Sequence, residues 1–235
     1  MTATEATMQI KRLNFTIQFQ IAFSRPAVEL VAQSGRLVET IVENLGQEYP
    51  PASRDVRTRT GGALDDWLLQ LQLFNSLGKI AVSADALNCS FEKLASDIDL
   101  TTVVDVLDRI TRALTTHSPA LRVAFEKVSG SVSYEVVGGS AARTSYFSGV
   151  SFPGRAEAHM DISFKSRLRH PSQPAIGLFE VAPRWGSDSQ LFFYFEVETT
   201  NLGEVELRQR AQIANELVLH ALASFQLEQT KEIST

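Results

Sequence analysis

Residues 13–23 read LNFTIQFQIAF, and their alternation decides the fold. Leu13, Phe15, Ile17, Phe19, Ile21 and Phe23 share one parity, while Asn14, Thr16, Gln18, Gln20 and Ala22 share the other. Successive side chains of a strand point to opposite sides of a sheet, so a period of two predicts a long strand with one apolar and one polar face. The polar parity is uncharged, and neither lysine nor proline interrupts the stretch. Exposed edge strands carry such guards because bare edges invite association. This strand is therefore expected inside a sheet, against a second copy, or taking up a partner's strand. A homodimer or a stable hetero-complex is the expectation that follows.

The same grammar continues down the chain. Leu69, Leu71 and Leu73 alternate with Gln70 and Gln72. Ile80, Val82 and Ala84 share a parity that shifts at Leu87, Cys89 and Phe91, which predicts a bulge near Asp85. Leu121, Val123 and Phe125, followed by Val132, Tyr134 and Val136, predict one long bent strand or a hairpin around Ser129-Gly130. Ala158, Met160, Ile162 and Phe164 alternate with His159, Asp161, Ser163 and Lys165. Ile176 to Val181 and Leu191 to Val197 read as strands separated by the turn-rich PRWGSDS of residues 183–189.

Three helices punctuate the strands. Pro26 suits a first helical turn, and Ala27, Leu30, Val31, Leu37, Val38, Ile41 and Leu45 form a stripe ended by Gly46. A second helix is predicted from Thr101 or Thr102 to Thr116, with Val103, Val106, Leu107, Ile110 and Leu114 inward. Its outer face offers the i,i+4 pairs Asp105–Arg109 and Asp108–Arg112, and Ser118-Pro119 ends it. A third is predicted over residues 204–228, with Leu207, Ala211, Ala214, Leu217, Ala221 and Phe225 as its stripe. Glu204 and Glu206 suit its positive end. The Gly-, Ser- and Ala-rich stretch from Gly138 to Gly154 reads as a mobile loop.

Segregated runs of strands and helices predict an α+β fold of antiparallel sheets with packed helices. Each half closes on a three-strand run and a helix. Residues 1–118 and 119–235 are thus expected as two pseudo-duplicated sheet-and-helix halves, or as one compact unit.

Composition narrows the class. The 235 residues are 44% hydrophobic and 21% charged, the proportions of an ordinary globular protein. A net charge of −5 argues against broad nonspecific nucleic-acid binding. The lone cysteine, Cys89, has no intramolecular disulfide partner, which points to a reducing compartment. MTATEATMQIKR has no long apolar stretch after a basic start, and no apolar run approaches the ~18 residues of a membrane span, so a cytoplasmic protein away from membranes is expected.

Catalytic grammar is sparse. The histidines His117, His159, His170 and His220 show no i,i+4 pair, and no second cysteine is present for a thiolate zinc site, so no metal or cofactor is expected. His117 and His170 lie near prolines and read as surface residues; His220 stands one turn after Glu216 and reads as its structural partner. The most suggestive group is His159, Asp161, Ser163 and Lys165 on one strand face, with Glu196 and Glu198 on the polar parity of another strand. Histidine beside carboxylates is the raw material of general acid–base chemistry or a metal site; the alternative is a solvated sheet face. Gly61-Gly62 and Gly138-Gly139 lack the spacing and lysine of a phosphate loop, and no G-x-S-x-G occurs. Cys89 reads as a small buried hydrophobe. Two basic clusters remain, Arg54, Arg57 and Arg59, and Lys165, Arg167, Arg169 and His170. With aromatics such as Trp185 and Tyr146 they offer phosphate grips or base-stacking surfaces.

The alternating first strand leading to the helix after Pro26, the segment LRVAFEKVSGSVSYEV, and the closing LVLHALASF with His220 and Phe225 resemble a sporadically distributed family of uncharacterised bacterial proteins. Ser133, Tyr134 and Glu135 stand where that family often has Arg-Tyr-Asn. The resemblance implies an order of elements and no established activity; the family's patchy distribution implies defence-related or mobile-element gene neighbourhoods. MQIKR is also similar to the F-Q-I-x-R type opening of the chaperone SecB. The expected function is a non-enzymatic binding or interaction module with a protein partner. The alternatives are an enzyme built on His159, Asp161, Glu196 and Glu198, or a nucleic-acid or phosphate binder built on Arg54, Arg57, Arg59, Arg167 and Arg169.

Overall fold

Met8–Phe23 forms a strand, β1, that is paired along both sides. The computed structural model describes residues 7–51, 55–61, 64–94, 100–149, 163–199 and 207–230. After β1 come α1 (Val28–Ala32), α2 (Ser34–Leu45), β2 (Val56–Arg59), β3 (Leu68–Leu73), β4 (Gly78–Ser83), β5 (Ala86–Leu94) and α3 (Leu100–His117). The chain continues through β6 (Val123–Val136), α4 (Gly139–Gly149), β7 (Phe164–Arg169), β8 (Ile176–Pro183), β9 (Gln190–Glu198), α5 (Leu207–Ser224) and β10 (Leu227–Gln229). One ten-stranded sheet runs β2-β3-β4-β5-β1-β6-β9-β8-β7, with β10 pairing β1 off this path. Apart from the parallel β1–β10 contact, every pairing is antiparallel, so the α+β expectation holds.

β1 takes the first of the three arrangements its unguarded sequence allowed. β5 and β6 cover its two edges, which removes the reason to expect strand exchange with a second copy. Phe15, Ile17, Phe19, Ile21 and Phe23 are all buried, as the alternation requires. Leu13 departs from it. The β1–β6 register shifts between Arg12 and Asn14, and beyond this bulge the buried residues are Met8 and Ile10, of the opposite parity. This phase change places Met8 to Ile10 beside Leu227 to Gln229.

β6 is one long strand, and Gly130 lets it be so. Gly130 lies between Ile17 of β1 and Phe195 of β9. A methyl group there would overlap the Thr16 carbonyl oxygen and stand 2.7 Å from Phe195 Cζ. A glycine inside a strand marks such a close approach.

The apolar parities of all the longer strands meet the helices on one side. Leu30 of α1, Leu37, Ile41 and Leu45 of α2, Val103 to Leu114 of α3, and Leu217 and Ala221 of α5 join one core with Phe19, Phe91, Tyr134, Phe179 and Phe193. Burying each large side chain contributes about 1.5–3 kcal/mol. The helix after Pro26 is broken at Gln33 into α1 and α2. Gly46, at φ 62°, ends α2, and Arg109 Nη1 of α3 donates to the C-terminal Asn44 and Leu45 carbonyls at 3.3 Å each. Arg109 also binds Asp105 at 2.9 Å and Glu48, and its guanidinium lies 5.2 Å from the centre of the Tyr49 ring.

Three readings are corrected. The parity shift near Asp85 is a hairpin turn: Ser83 Oγ accepts the Asp85 and Ala86 amides at 3.3 and 3.0 Å, and β4 and β5 pair around it. Gly139–Gly149, expected within a loop, is the helix α4, whose Phe147 ring stacks on Phe164 at 5.3 Å and whose Tyr146 hydroxyl donates to the Phe225 carbonyl at 2.6 Å. Burial pushes the Tyr146 phenol up to about 12. The last helix stops at Ser224, and Glu228 belongs to β10; Glu204 and Glu206 lie outside the described residues.

Strand glycines ordinarily gain stability on conversion to alanine. Gly130→Ala is expected to do the opposite, losing on the order of 1–3 kcal/mol because the Thr16 backbone cannot move aside. Ser131→Ala, on the other side of the sheet, is expected to change stability by about 0.5 kcal/mol or less. Urea unfolding of the two variants reads the difference.

Candidate functional site

The parity that buries one side of the sheet turns the other side outward. Strand register assembles that outward face row by row. Gln18 stands beside Ser90 and Ser129, Ser129 beside Glu196, Glu196 beside Leu178, and Leu178 beside Arg167. The next row carries Arg57, Gln70, Ala81, Asn88, Gln20 and Lys127. None of these side chains belongs to the core formed with the helices.

Glu196 and Glu198 both lie on this open face, at the end of β9. Glu196 binds Lys127 Nζ at 2.6 Å and accepts the Tyr194 hydroxyl at 3.1 Å. Partial burial, and then that hydrogen bond, raise the Tyr194 phenol above its ordinary value. His159 and Asp161, the other half of the expected acid–base cluster, lie outside the described residues, as does Arg54. Arg57 and Arg59 sit on β2, and Arg167 and Arg169 on β7, the two ends of the strand order. Eight strand spacings of about 4.8 Å put the two clusters roughly 38 Å apart along the sheet, so they form no common grip. Arginines on edge strands also guard those edges against pairing with other chains.

His117 and His170 are structural ties. His117 Nε2 lies 2.8 Å from Thr40 Oγ1 and its Nδ1 3.1 Å from Gln33 Oε1, joining the end of α3 to the α1–α2 break. His170 Nδ1 accepts the Ser172 and Gln173 amides at 3.2 Å each, which leaves the proton on Nε2 to donate to Glu216 Oε2 at 3.0 Å. The His170 side chain is only 6% exposed, so it is no surface residue, and Glu216 pairs with it rather than with His220. With both ring nitrogens engaged, neither histidine has a nitrogen left for a substrate proton. Cys89 is buried, and burial raises its thiol far above the ordinary range, away from the reactive thiolate. Among the described residues no three His, Cys, Asp or Glu side chains are grouped to hold a metal ion, and no helix is long and apolar enough to cross a membrane.

A cleft enters the helix side between α5 and strands β1, β6 and β9, with Phe15, Val132, Phe195 and Ala214 among its walls. Gln229 Nε2 donates to the Tyr134 hydroxyl at 2.6 Å at this cleft, and burial holds that phenol up at about 12. Its volume of about 120 Å³ is well below the several hundred Å³ of ordinary ligand pockets.

What sequence reasoning missed is an apolar stripe on the open face. Leu178 is 45% exposed and Phe192 37%, with Tyr194 between them in register, and Trp185 in the β8–β9 turn is 80% exposed. Its signal lay in GLFEV and LFFYFEV, which are apolar on both parities where the neighbouring strands alternate. Beside the stripe, Arg184 Nη1 donates across β9 to Ser133 Oγ at 2.8 Å. Neither a family model nor a curated protein matches the chain.

The Glu216 carboxyl is held below its ordinary value, first by the hydrogen bond from His170 and then by that from Gln212. A depressed carboxyl contributes stability above the unfolded pKa, near 4.5, and loses it as pH falls through the lower folded value. Glu216→Gln is therefore expected to be less stable than the parent protein at pH 7 and to match it in strong acid. Thermal unfolding at pH 7 and pH 3 checks this.

Proposed function

We propose that the protein is a non-enzymatic binding module that presents the open face of its sheet to a partner. The carrying observation is the sorting of the described elements, with every packed helix on one side and on the other an open face of uncharged polar side chains and ion pairs such as Lys127–Glu196, which also bears exposed Leu178 and Phe192. A sheet face that needed only solvation would carry little large apolar surface, whereas apolar groups rimmed by polar ones mark interaction sites. The engaged ring nitrogens of His117 and His170 support a structural use of those side chains over a catalytic one. The order β5-β4-β3 outward from β1 and β9-β8-β7 outward from β6 further supports a descent from two related sheet-and-helix halves.

Affinity purification of the tagged protein from its native cells tests the binding surface. Whatever co-purifies, read by mass spectrometry for protein and by absorbance for nucleic acid, is expected to be lost from the Leu178→Glu/Phe192→Glu variant. It is expected to persist with Leu219→Glu, a change at an exposed position of α5. The opposite pattern would move the binding surface to the helix side.

A further inference from the structure

We propose that the outward side of β7, β8 and β9 docks a second copy of this chain, packed face to face about a two-fold axis along β8. This rests on the open-face reading above and names its partner. Strand register sets three rows across these strands. One holds Arg169, Ile176 and Glu198, the next Arg167, Leu178 and Glu196, and the third Lys165, Glu180 and Tyr194. Residues paired across strands point to the same side of a sheet. Cations therefore line β7, carboxylates stand in two of the rows on β9, and Ile176 and Leu178 lie between them on β8.

A two-fold interface sets one surface against itself. An axis along β8 exchanges β7 with β9 and keeps each row in place, so Arg169 of one copy meets Glu198 of the other and Arg167 meets Glu196, each contact occurring twice. Ile176 and Leu178 fall on the axis and meet their own counterparts, which gives the 45% exposed Leu178 an apolar neighbour. Lys165 meets the Tyr194 ring, a surface suited to an ammonium group. Glu180 also falls on the axis, where its own Lys165 at 3.4 Å offsets its charge. The other axes fail on charge. Along β9, Glu196 and Glu198 would each face themselves; along β7, Arg167 and Arg169 would; and an axis across the strands would lay the β7 cations on one another.

The three rows hold three cations and three carboxylates, a balance that favours neither a polyanion nor a polycation and suits a surface of the same composition. The charges unmatched within one chain are the ones this packing uses. Lys127 holds Glu196 at 2.6 Å and Lys165 holds Glu180, whereas Arg167, Arg169 and Glu198 have no ion-pair partner among the described residues. Three strands about 4.8 Å apart and about seven residues long at 3.4 Å each give a flat footprint of roughly 350 Å² per copy. A stable complex covers about 800 Å² per partner, so the association is weak and set by concentration.

Sedimentation equilibrium from about 10 µM to about 1 mM protein at low salt is expected to show a monomer passing into a dimer, with a dissociation constant severalfold higher at high salt. Arg169→Glu and Glu198→Arg, both at exposed positions, are each expected to weaken self-association at least tenfold while leaving the circular dichroism spectrum unchanged. Mixed in equal amounts, the two variants should regain the dimer, since in the mixed pair one Arg169–Glu198 contact is native and the other is reversed in sign on both sides. A fold change or a shift in strand pairing within one chain would not be repaired by mixing. A parent protein that stays monomeric to 1 mM, a dimer indifferent to either substitution, or variants that fail to restore each other overturns the proposal. If the parent is monomeric while a different macromolecule co-purifies through Leu178 and Phe192, this proposal falls and the open-face reading stands. A dimer broken by Leu219→Glu and untouched by Leu178→Glu would overturn both.

Discussion

The pairing of β1 with β6 is the constraint on which the other elements depend. It runs from Ile10 opposite Val136 to Phe23 opposite Val123 and joins the two groups of strands into one sheet. Gly130 lies within it, where the absence of a side chain lets the Thr16 carbonyl and the Phe195 ring approach the same backbone. A bulge at Leu13 then swaps the buried parity of β1, so that Met8 and Ile10 enter the core while β10 pairs alongside. A chain without that phase change would turn Met8 and Ile10 to solvent and leave Leu227 without its neighbour.

Covering one side only gives the molecule its asymmetry. Burial on the helix side consumes the aromatic and branched residues, and polar groups that look reactive in isolation are spent holding helices in place. Arg109 caps α2 from α3, and Arg208 of α5 approaches Asp108 at 3.7 Å and Asp105 at 3.9 Å. His170 fastens the β7–β8 turn to α5 through Glu216. The open side keeps its hydrogen-bonding groups and a short apolar stripe, with little helix or loop among the described residues to cover them.

Local alternation made most of the sheet legible. LNFTIQFQIAF, LLQLQL and GKIAVS each show their period of two, and α3 shows its stripe from Val103 to Leu114. Misreadings arose where short-range chemistry imitated something else. The serine-capped turn at Ser83 shifts parity just as a bulge does, and α4 is short of apolar residues because it is held by Tyr146 and Phe147 against Phe164. β10 is too short for any period to show. The site was less legible because it is made by register. Lys127 and Glu196 are remote in sequence, as are Arg184 and Ser133, and only strand order brings them together. Leu178 and Phe192 were visible as apolar residues on the wrong parity, a pattern equally suited to a sheet buried on both faces.

Amide hydrogen exchange tests the central place of β1 most directly. Backbone amides paired on both sides in the middle of a sheet open only with the whole fold, while edge strands open locally. The amides of Ile17, Phe19 and Ile21 should exchange at the rate of global unfolding, and those of β2 and β7 far faster. Exchange in β1 as fast as in β2 and β7 would contradict a sheet built outward from the β1–β6 pair.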